Sequence, residues 1–219
     1  MSCLNEAATV GQCVDNALAF LARRGLAGEV LVVDNGSDDA SAALARAHGA
    51  RVVAEPRRGY GRALRTGLAA SLGRVIMMGD CDTTYDFLHM DPLVDPLLAG
   101  DCDMMIGDRF AGQMEAGAMP LSHRLGVPFL SLCARVRFGV TVHDFHCGLR
   151  GLTRPALDRL DLRTDGMEFA TELIAEAARK GLRIGQASTP LLRCQASGRK
   201  PKLRTVRDGL RHLGYILRA

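Results

Sequence analysis

Val75-Ile76-Met77-Met78-Gly79-Asp80-Cys81-Asp82 is the stretch whose reading decides the fold. Four apolar residues closed by a glycine read as a short strand buried on both faces. Two acids then fall in a tight turn at the carboxyl end of that strand. Aspartates there are costly unless they bind a cation or accept hydrogen bonds. Two apart in a turn, they can face one hard cation, Mg2+ or Mn2+, which takes oxygen ligands. The same turn also suits a helix cap, and the pair alone leaves both readings open.

Outward from this stretch, strand and helix patterns alternate. Towards the amino end, Val10, Cys13, Val14, Ala17, Leu18 and Leu21 recur at helical spacing. Glu29 to Val33 and Arg51 to Ala54 read as strands, with Ser41 to His48 and Gly59 to Leu72 as helices. Asp34-Asn35-Gly36-Ser37 is turn chemistry directly after a strand, as Asp80 to Asp82 is. Towards the carboxyl end, His89 to Leu98 is helical and Cys102 to Ile106 a strand. This alternation predicts a doubly wound, mainly parallel α/β sheet flanked by helices. Its ligand edge lies at the carboxyl ends of the strands, where both acidic turns fall. Beyond Arg109 the pattern predicts a helix over 121–138, an extended segment over 140–152, helices over 154–160 and 167–180, and a strand over 182–187. A basic loop over 197–201 and a basic amphipathic helix over 203–217 follow.

The chain has 219 residues, 47% hydrophobic and 24% charged, which suits one globular domain and excludes disorder, collagen and coiled coil. No run of 18 apolar residues is present, and no basic-then-apolar secretory signal opens the chain. Seven scattered cysteines without a C-x-x-C pair read as reduced thiols of a cytoplasmic protein. The net charge of +4 is uneven: 193–219 holds eight Lys/Arg and one acid. Such a tail predicts an anionic partner. Tyr215 is its only aromatic, so it offers no stacking platform and nucleic acid is not expected.

Five motifs in series sharpen this reading: Asn5-Glu6, Asp34-Asn35-Gly36-Ser37, Asp80-Cys81-Asp82, Gly107-Asp108-Arg109-Phe110 and Asp144-Phe145-His146-Cys147-Gly148-Leu149-Arg150. The series resembles family 2 glycosyltransferases of the GT-A fold. Among them it is most similar to polyprenyl-phosphate sugar synthases of the dolichyl-phosphate mannosyltransferase type. The resemblance covers nearly the whole chain, with a nucleotide-binding half over about 1–110 and an acceptor half over about 111–219. It implies a UDP- or GDP-linked sugar donor, Mg2+ or Mn2+, and a polyprenyl phosphate or small-molecule acceptor. Ser2, Leu4, Asn5 and Glu6 would frame the base, and Val33, Asp34 and Asn35 would contact base and ribose. Relatives often carry two aspartates where this chain has Asp34-Asn35. Asp80, Cys81 and Asp82 would meet the diphosphate, with Asp80 and Asp82 on the metal. Arg109 would serve the phosphates and acceptor, Arg124 the acceptor, and Arg193, Arg199 and Lys200 a basic loop over the donor. Relatives usually begin with a fuller strand than Met1 to Leu4 and carry membrane helices beyond the catalytic domain. The basic helix would instead touch the inner face of a membrane peripherally.

The reaction so implied is one displacement at the anomeric carbon, inverting it as nucleotide diphosphate leaves. A phosphate acceptor is already anionic, whereas a hydroxyl needs a base. Asp144, in the acceptor-side motif, is the candidate base, and a structural aspartate bonded to backbone amides is its rival reading. A soluble hydroxyl acceptor is the alternative substrate. A non-catalytic nucleotide-sugar-binding subunit is the alternative of another class, towards which Asn35 and the short first strand point.

Overall fold

The computed structural model describes residues 1–195 and 205–219. β1 (Ser2–Cys3), β2 (Leu31–Asp34) and β3 (Arg51–Ala54) form a parallel sheet in the order β1-β2-β3. β4 (Val75–Met78), β5 (Met104–Asp108), β6 (Arg150–Thr153) and β7 (Ile184–Ser188) form a second sheet in the order β4-β6-β5-β7. A parallel bridge between Ser2 and Asp80 joins the two, Ser2 N donating to Gly79 O at 3.3 Å. The strands therefore run β3-β2-β1-β4-β6-β5-β7, and β6 alone opposes its neighbours. The carboxyl ends of β1, β2, β4 and β5 consequently open on one edge. As expected, the first strand is short.

The helices follow their apolar spacing. On α1 (Val10–Arg23), Val10, Cys13, Val14, Ala17 and Phe20 are buried, because positions three and four apart share one face. α2 (Ser41–Ala47), α3 (Tyr60–Ala70) and α4 (Asp91–Ala99) lie within a few residues of their expected bounds. Gly100, at φ 79°, closes α4 with a left-handed residue that a side chain would strain. α5 (Leu121–Phe138) has the bounds read from the sequence. α6 (Arg154–Leu157), α7 (Phe169–Arg179) and α8 (Thr205–Arg218) complete the set. The residues Phe20, Phe145 and Phe169 are less than 2% exposed. Each contributes about 1.5–3 kcal/mol by leaving water.

One segment departs from its reading. Of 140–152, read as extended, only Arg150 to Leu152 joins a strand, which runs on to Thr153. The Arg150 guanidinium is the physical reason for the irregular stretch before it. It donates to Phe145 O (2.7 Å), Cys147 O (2.6 Å) and Ala170 O (2.7 Å). Carbonyls held by a side chain are not offered to a sheet neighbour. α8 packs on α5 and α7. It turns Asp208, His212 and Ile216 inward at four-residue spacing, 8, 4 and 2% exposed. No helix among the described residues is long and apolar enough to cross a membrane.

Candidate active site

The strand edge opens into a cleft of about 1480 Å3. Glu6, Asn35, Asp80, Asp82 and Arg109 line its strand side, and Phe129 of α5 and Arg211 of α8 line the facing side. Ser2 and Leu4 also reach it. Asn5 does not: it is exposed, and its Oδ1 accepts from Asp38 N (2.8 Å) while its own N donates to Ser37 Oγ (2.9 Å). It therefore ties the opening loop to the turn after β2. Glu6 is 6% exposed, its N donating to Ser41 Oγ at 2.7 Å.

After β2, three expected contacts divide. Val33 is 1% exposed and belongs to the core, so its side chain is not a base contact. Strand alternation puts it on a sheet face rather than at the edge. Asp34 stabilises its own turn, Oδ1 accepting from Ser37 N (3.1 Å). Asn35 Nδ2 donates to Glu55 O and Arg57 O (both 2.9 Å), and its Oδ1 accepts from Gly59 N (2.8 Å). An aspartate could not donate to those two carbonyls. Asparagine is thus fitted to this framework and is no sign of a lost site.

The Asp-x-Asp turn is held from three sides. Ser2 Oγ donates to Asp80 Oδ1 (3.1 Å), and Thr84 N donates to Asp82 Oδ1 (3.1 Å). Thr9 Oγ1 donates to Cys81 O (2.6 Å). Cys81 itself is 1% exposed beside Cys3, so its thiol faces the core and not the cleft. Gly148 supplies the third side. A Cβ there would stand 2.7 Å from Asp80 Oδ2 and 3.1 Å from Tyr85 Oη. Tyr85 Oη in turn accepts from Gly148 N (2.7 Å). Gly148→Ala is expected to leave the chain folded but push the Asp80 carboxylate aside. A shift of that kind costs about 10²-fold in kcat/KM. A variant turning over at the wild-type rate would refute the cradle.

Arg109 and Asp144 are brought together, though not as expected. Arg109 Nε and Nη2 bond Asp144 Oδ2 and Oδ1 at 2.6 and 2.9 Å. Arg109 N and His146 N donate to the same carboxylate at 3.3 and 3.1 Å. The Asp144 side chain is 0% exposed and Arg109 is 11% exposed. Asp144 is therefore a positioning residue for Arg109, because a carboxylate so enclosed reaches no acceptor proton. No group of three or more His, Cys, Asp or Glu that could hold a metal ion gathers among the described residues. His143 N bonds Gln186, and the Cys147 thiol, pushed up to about 12 by burial, is sealed in the core.

His146 is the cleft residue whose role the sequence left open. Its two ring nitrogens have no hydrogen-bond partner among the described residues. The ring meets His212 edge-on, centroids 4.3 Å apart. His212 Nδ1 bonds Thr171 Oγ1 at 2.8 Å, and burial, then Arg150, lower its pKa from 6.5 to about 4. His212 thus folds neutral, while the unfolded chain takes up its proton near the ordinary value. Stability contributed by the neutral form is present above pH 6.5 and lost as pH falls towards 4. Between pH 7.5 and 4.5 the loss is roughly 2–3 kcal/mol, read by denaturant melts at each pH. His212→Gln should reduce that slope, and part of it should remain because burial also holds the neighbouring His146 well below the ordinary histidine range. An unchanged slope would contradict the assignment.

The remaining basic residues divide again. Arg124 is exposed and off the cleft, whereas His123 beside it faces in. One residue is 100° of helix, so the sequence located the right turn of α5 but not its face. Arg193 lines the cleft, its N donating to Glu115 Oε2 (2.6 Å). Its segment crosses the acidic turn, Leu192 N donating to Thr84 O (3.0 Å). Arg199 and Lys200 lie outside the described residues.

Residues 1–161 match the family model described as Glycosyl transferase family 2. The chain is 36% identical over 218 residues to the low-salt glycan biosynthesis hexosyltransferase Agl6 of Haloferax volcanii, covering 99% of this chain and 52% of that protein. It therefore spans about half of that relative. It is 33% identical to the dolichyl-phosphate hexose transferase of the same organism, over 74% of this chain and 69% of the relative. Among solved structures it is similar to glucosyl-3-phosphoglycerate synthase from Mycobacterium tuberculosis in complex with Mn2+ and UDP-glucose. That TM-score is 0.77 at 26% identity, over 99% of this chain and 75% of the other.

Proposed function

The chain belongs to glycosyltransferase family 2, and from that premise we propose that it moves a hexose from a UDP-linked donor to a polyprenyl phosphate, inverting the anomeric carbon. Its fold is the GT-A arrangement shared with the solved neighbour. The observation that carries the reading is one cleft edge holding Asp80, Asp82 and Arg109 together. Two carboxylates two residues apart suit a hard cation that completes its shell with phosphate oxygens. Asp80 and Asp82 would hold Mn2+ or Mg2+, which supplies Lewis-acid stabilisation of charge on the departing diphosphate. Arg109, fixed by Asp144, adds a second positive charge at the same place. Ser2, Leu4, Glu6 and Asn35 frame the nucleotide, and Arg193 approaches the donor from above the acidic turn.

The enclosure of Asp144 favours a phosphate acceptor. Such an acceptor is anionic at neutral pH and needs no base. A soluble hydroxyl acceptor is the second reading, and it would need a base other than the enclosed Asp144. Transfer assays with UDP-glucose and Mn2+ separate the two. Polyprenyl phosphate in detergent should be glycosylated with UDP release, and water-soluble alcohols should not. Neither turnover nor binding of any UDP- or GDP-sugar would overturn the proposal. Binding without turnover, unchanged in Asp82→Ala, would favour a non-catalytic subunit.

A further inference from the structure

The cleft wall that faces the acidic turn carries arginines of its own. Arg124, expected on the acceptor, is exposed and off the cleft. Two arginines of α8 take that side instead, for Arg207 and Arg211 both line the cleft. Four residues apart on a helix, they stand one above the other on one face. The rotation of α8 that puts them there is fixed from beneath. His212, the residue after Arg211, is 4% exposed, and its Nδ1 bonds Thr171 Oγ1 of α7 at 2.8 Å. Asp208, the residue after Arg207, is 8% exposed and likewise turned inward.

Arg211 is also aimed. Its Nη2 donates to Glu168 Oε1 at 2.9 Å. Glu168 lines a second cavity rather than the cleft, so it holds the guanidinium from outside the site. Gly166 completes the seat, because a Cβ there would collide with both Arg211 Nη2 and Glu168 Oε2. One ion pair occupies only part of a guanidinium fork with several N–H donors, and the Arg211 side chain stays 41% exposed.

We propose that Arg207 and Arg211 form the clamp that receives the acceptor's phosphate, and so select a phosphate monoester over the corresponding alcohol. The inference rests on the transferase reading of this cleft. In that reading two anions meet: the donor diphosphate beside Asp80, Asp82 and Arg109, and an acceptor phosphate that is close to doubly charged at neutral pH. An acceptor oxygen forms its bond to the anomeric carbon as the carbon–oxygen bond to the diphosphate breaks, and the electron pair leaves with UDP. Repulsion between the anions opposes that approach unless separate cations hold each. Asp144 fixes Arg109 on the diphosphate side, and the α8 pair supplies the other. An alcohol gains nothing from such a pair.

The test is calorimetric titration of the full chain, with UDP and Mn2+ present, against geranyl phosphate and against geraniol, probes that share one short isoprenoid chain. Wild type should bind the phosphate at least about tenfold more tightly, through charge-assisted hydrogen bonds. Arg211→Gln should remove about tenfold or more of that affinity, and Arg207→Gln about threefold or more. Arg211→Lys, which keeps the charge and loses the fork, should fall between wild type and Arg211→Gln. Affinity for UDP-glucose with Mn2+ and for geraniol should hold in all three, a split that a merely structural Glu168–Arg211 bridge does not produce. Arg207 is exposed, so Arg207→Gln should also melt with wild type. Equal binding of phosphate and alcohol by wild type would overturn the proposal. So would geranyl phosphate affinity unchanged in both glutamine variants, or a loss of UDP-glucose affinity as large as the loss for geranyl phosphate. Phosphate binding that depends on both arginines, with no hexose transferred to it, would instead sink the polyprenyl-phosphate reading and leave the clamp standing.

Discussion

Asp82→Asn is expected to lower kcat/KM by about 10³-fold while leaving the fold intact, a loss of roughly 4 kcal/mol of transition-state stabilisation. The substitution isolates charge. Asp82 Oδ1 accepts from Thr84 N and Thr84 Oγ1, and an asparagine oxygen accepts both bonds equally. The turn therefore keeps its shape and loses one of the two carboxylates at the cleft edge. Melting temperature should stay within a few degrees of wild type. Raising Mn2+ should recover little of the rate, because the missing ligand is not a matter of occupancy alone. A variant with near-normal kcat/KM would place the cation elsewhere.

The second large effect is on stability. Arg109→Ala should destabilise the chain by about 3–5 kcal/mol, since it leaves a buried carboxylate without its charge partner. At roughly 2–4 °C per kcal/mol for a chain of this size, the melting point falls by about 10–15 °C. Asp144→Ala should cost a similar amount by stranding Arg109. The two losses are coupled, so the double variant Arg109→Met, Asp144→Leu should recover most of the stability. It should not recover activity, because the positive charge at the cleft has gone. Rescue of both together would reduce the pair to a structural one. Additive losses would deny the coupling.

The strand and helix order from Val10 to Asp108 was legible because each element carries its own period and ends in turn chemistry. The 121–138 helix was legible to the residue, closed by Pro120 before it and Gly139, at φ 66°, after it. β6 was not, since nothing local says that Arg150 to Thr153 inserts antiparallel between β4 and β5. That placement depends on partners more than 40 residues away, such as Met104 opposite Leu152. For the site, the acidic turn was legible because buried strand ends rarely carry two acids without a reason. The roles of Val33, Cys81, Arg124 and Asp144 were not. Each hangs on which way a side chain points, and motif spacing is silent on that. Asn35 shows the reverse: a departure from the family pattern that three framework hydrogen bonds account for.

The most direct measurement is the melting temperature of the full chain with UDP-glucose, with and without Mn2+, for wild type and Asp82→Asn. Ligand at about 100 times its dissociation constant stabilises by roughly 2.7 kcal/mol, which is about 5–10 °C here. The account predicts that rise for wild type with Mn2+, much less of it in chelator, and almost none in Asp82→Asn. An equal rise in chelator and in the variant, or no rise at all, would contradict it.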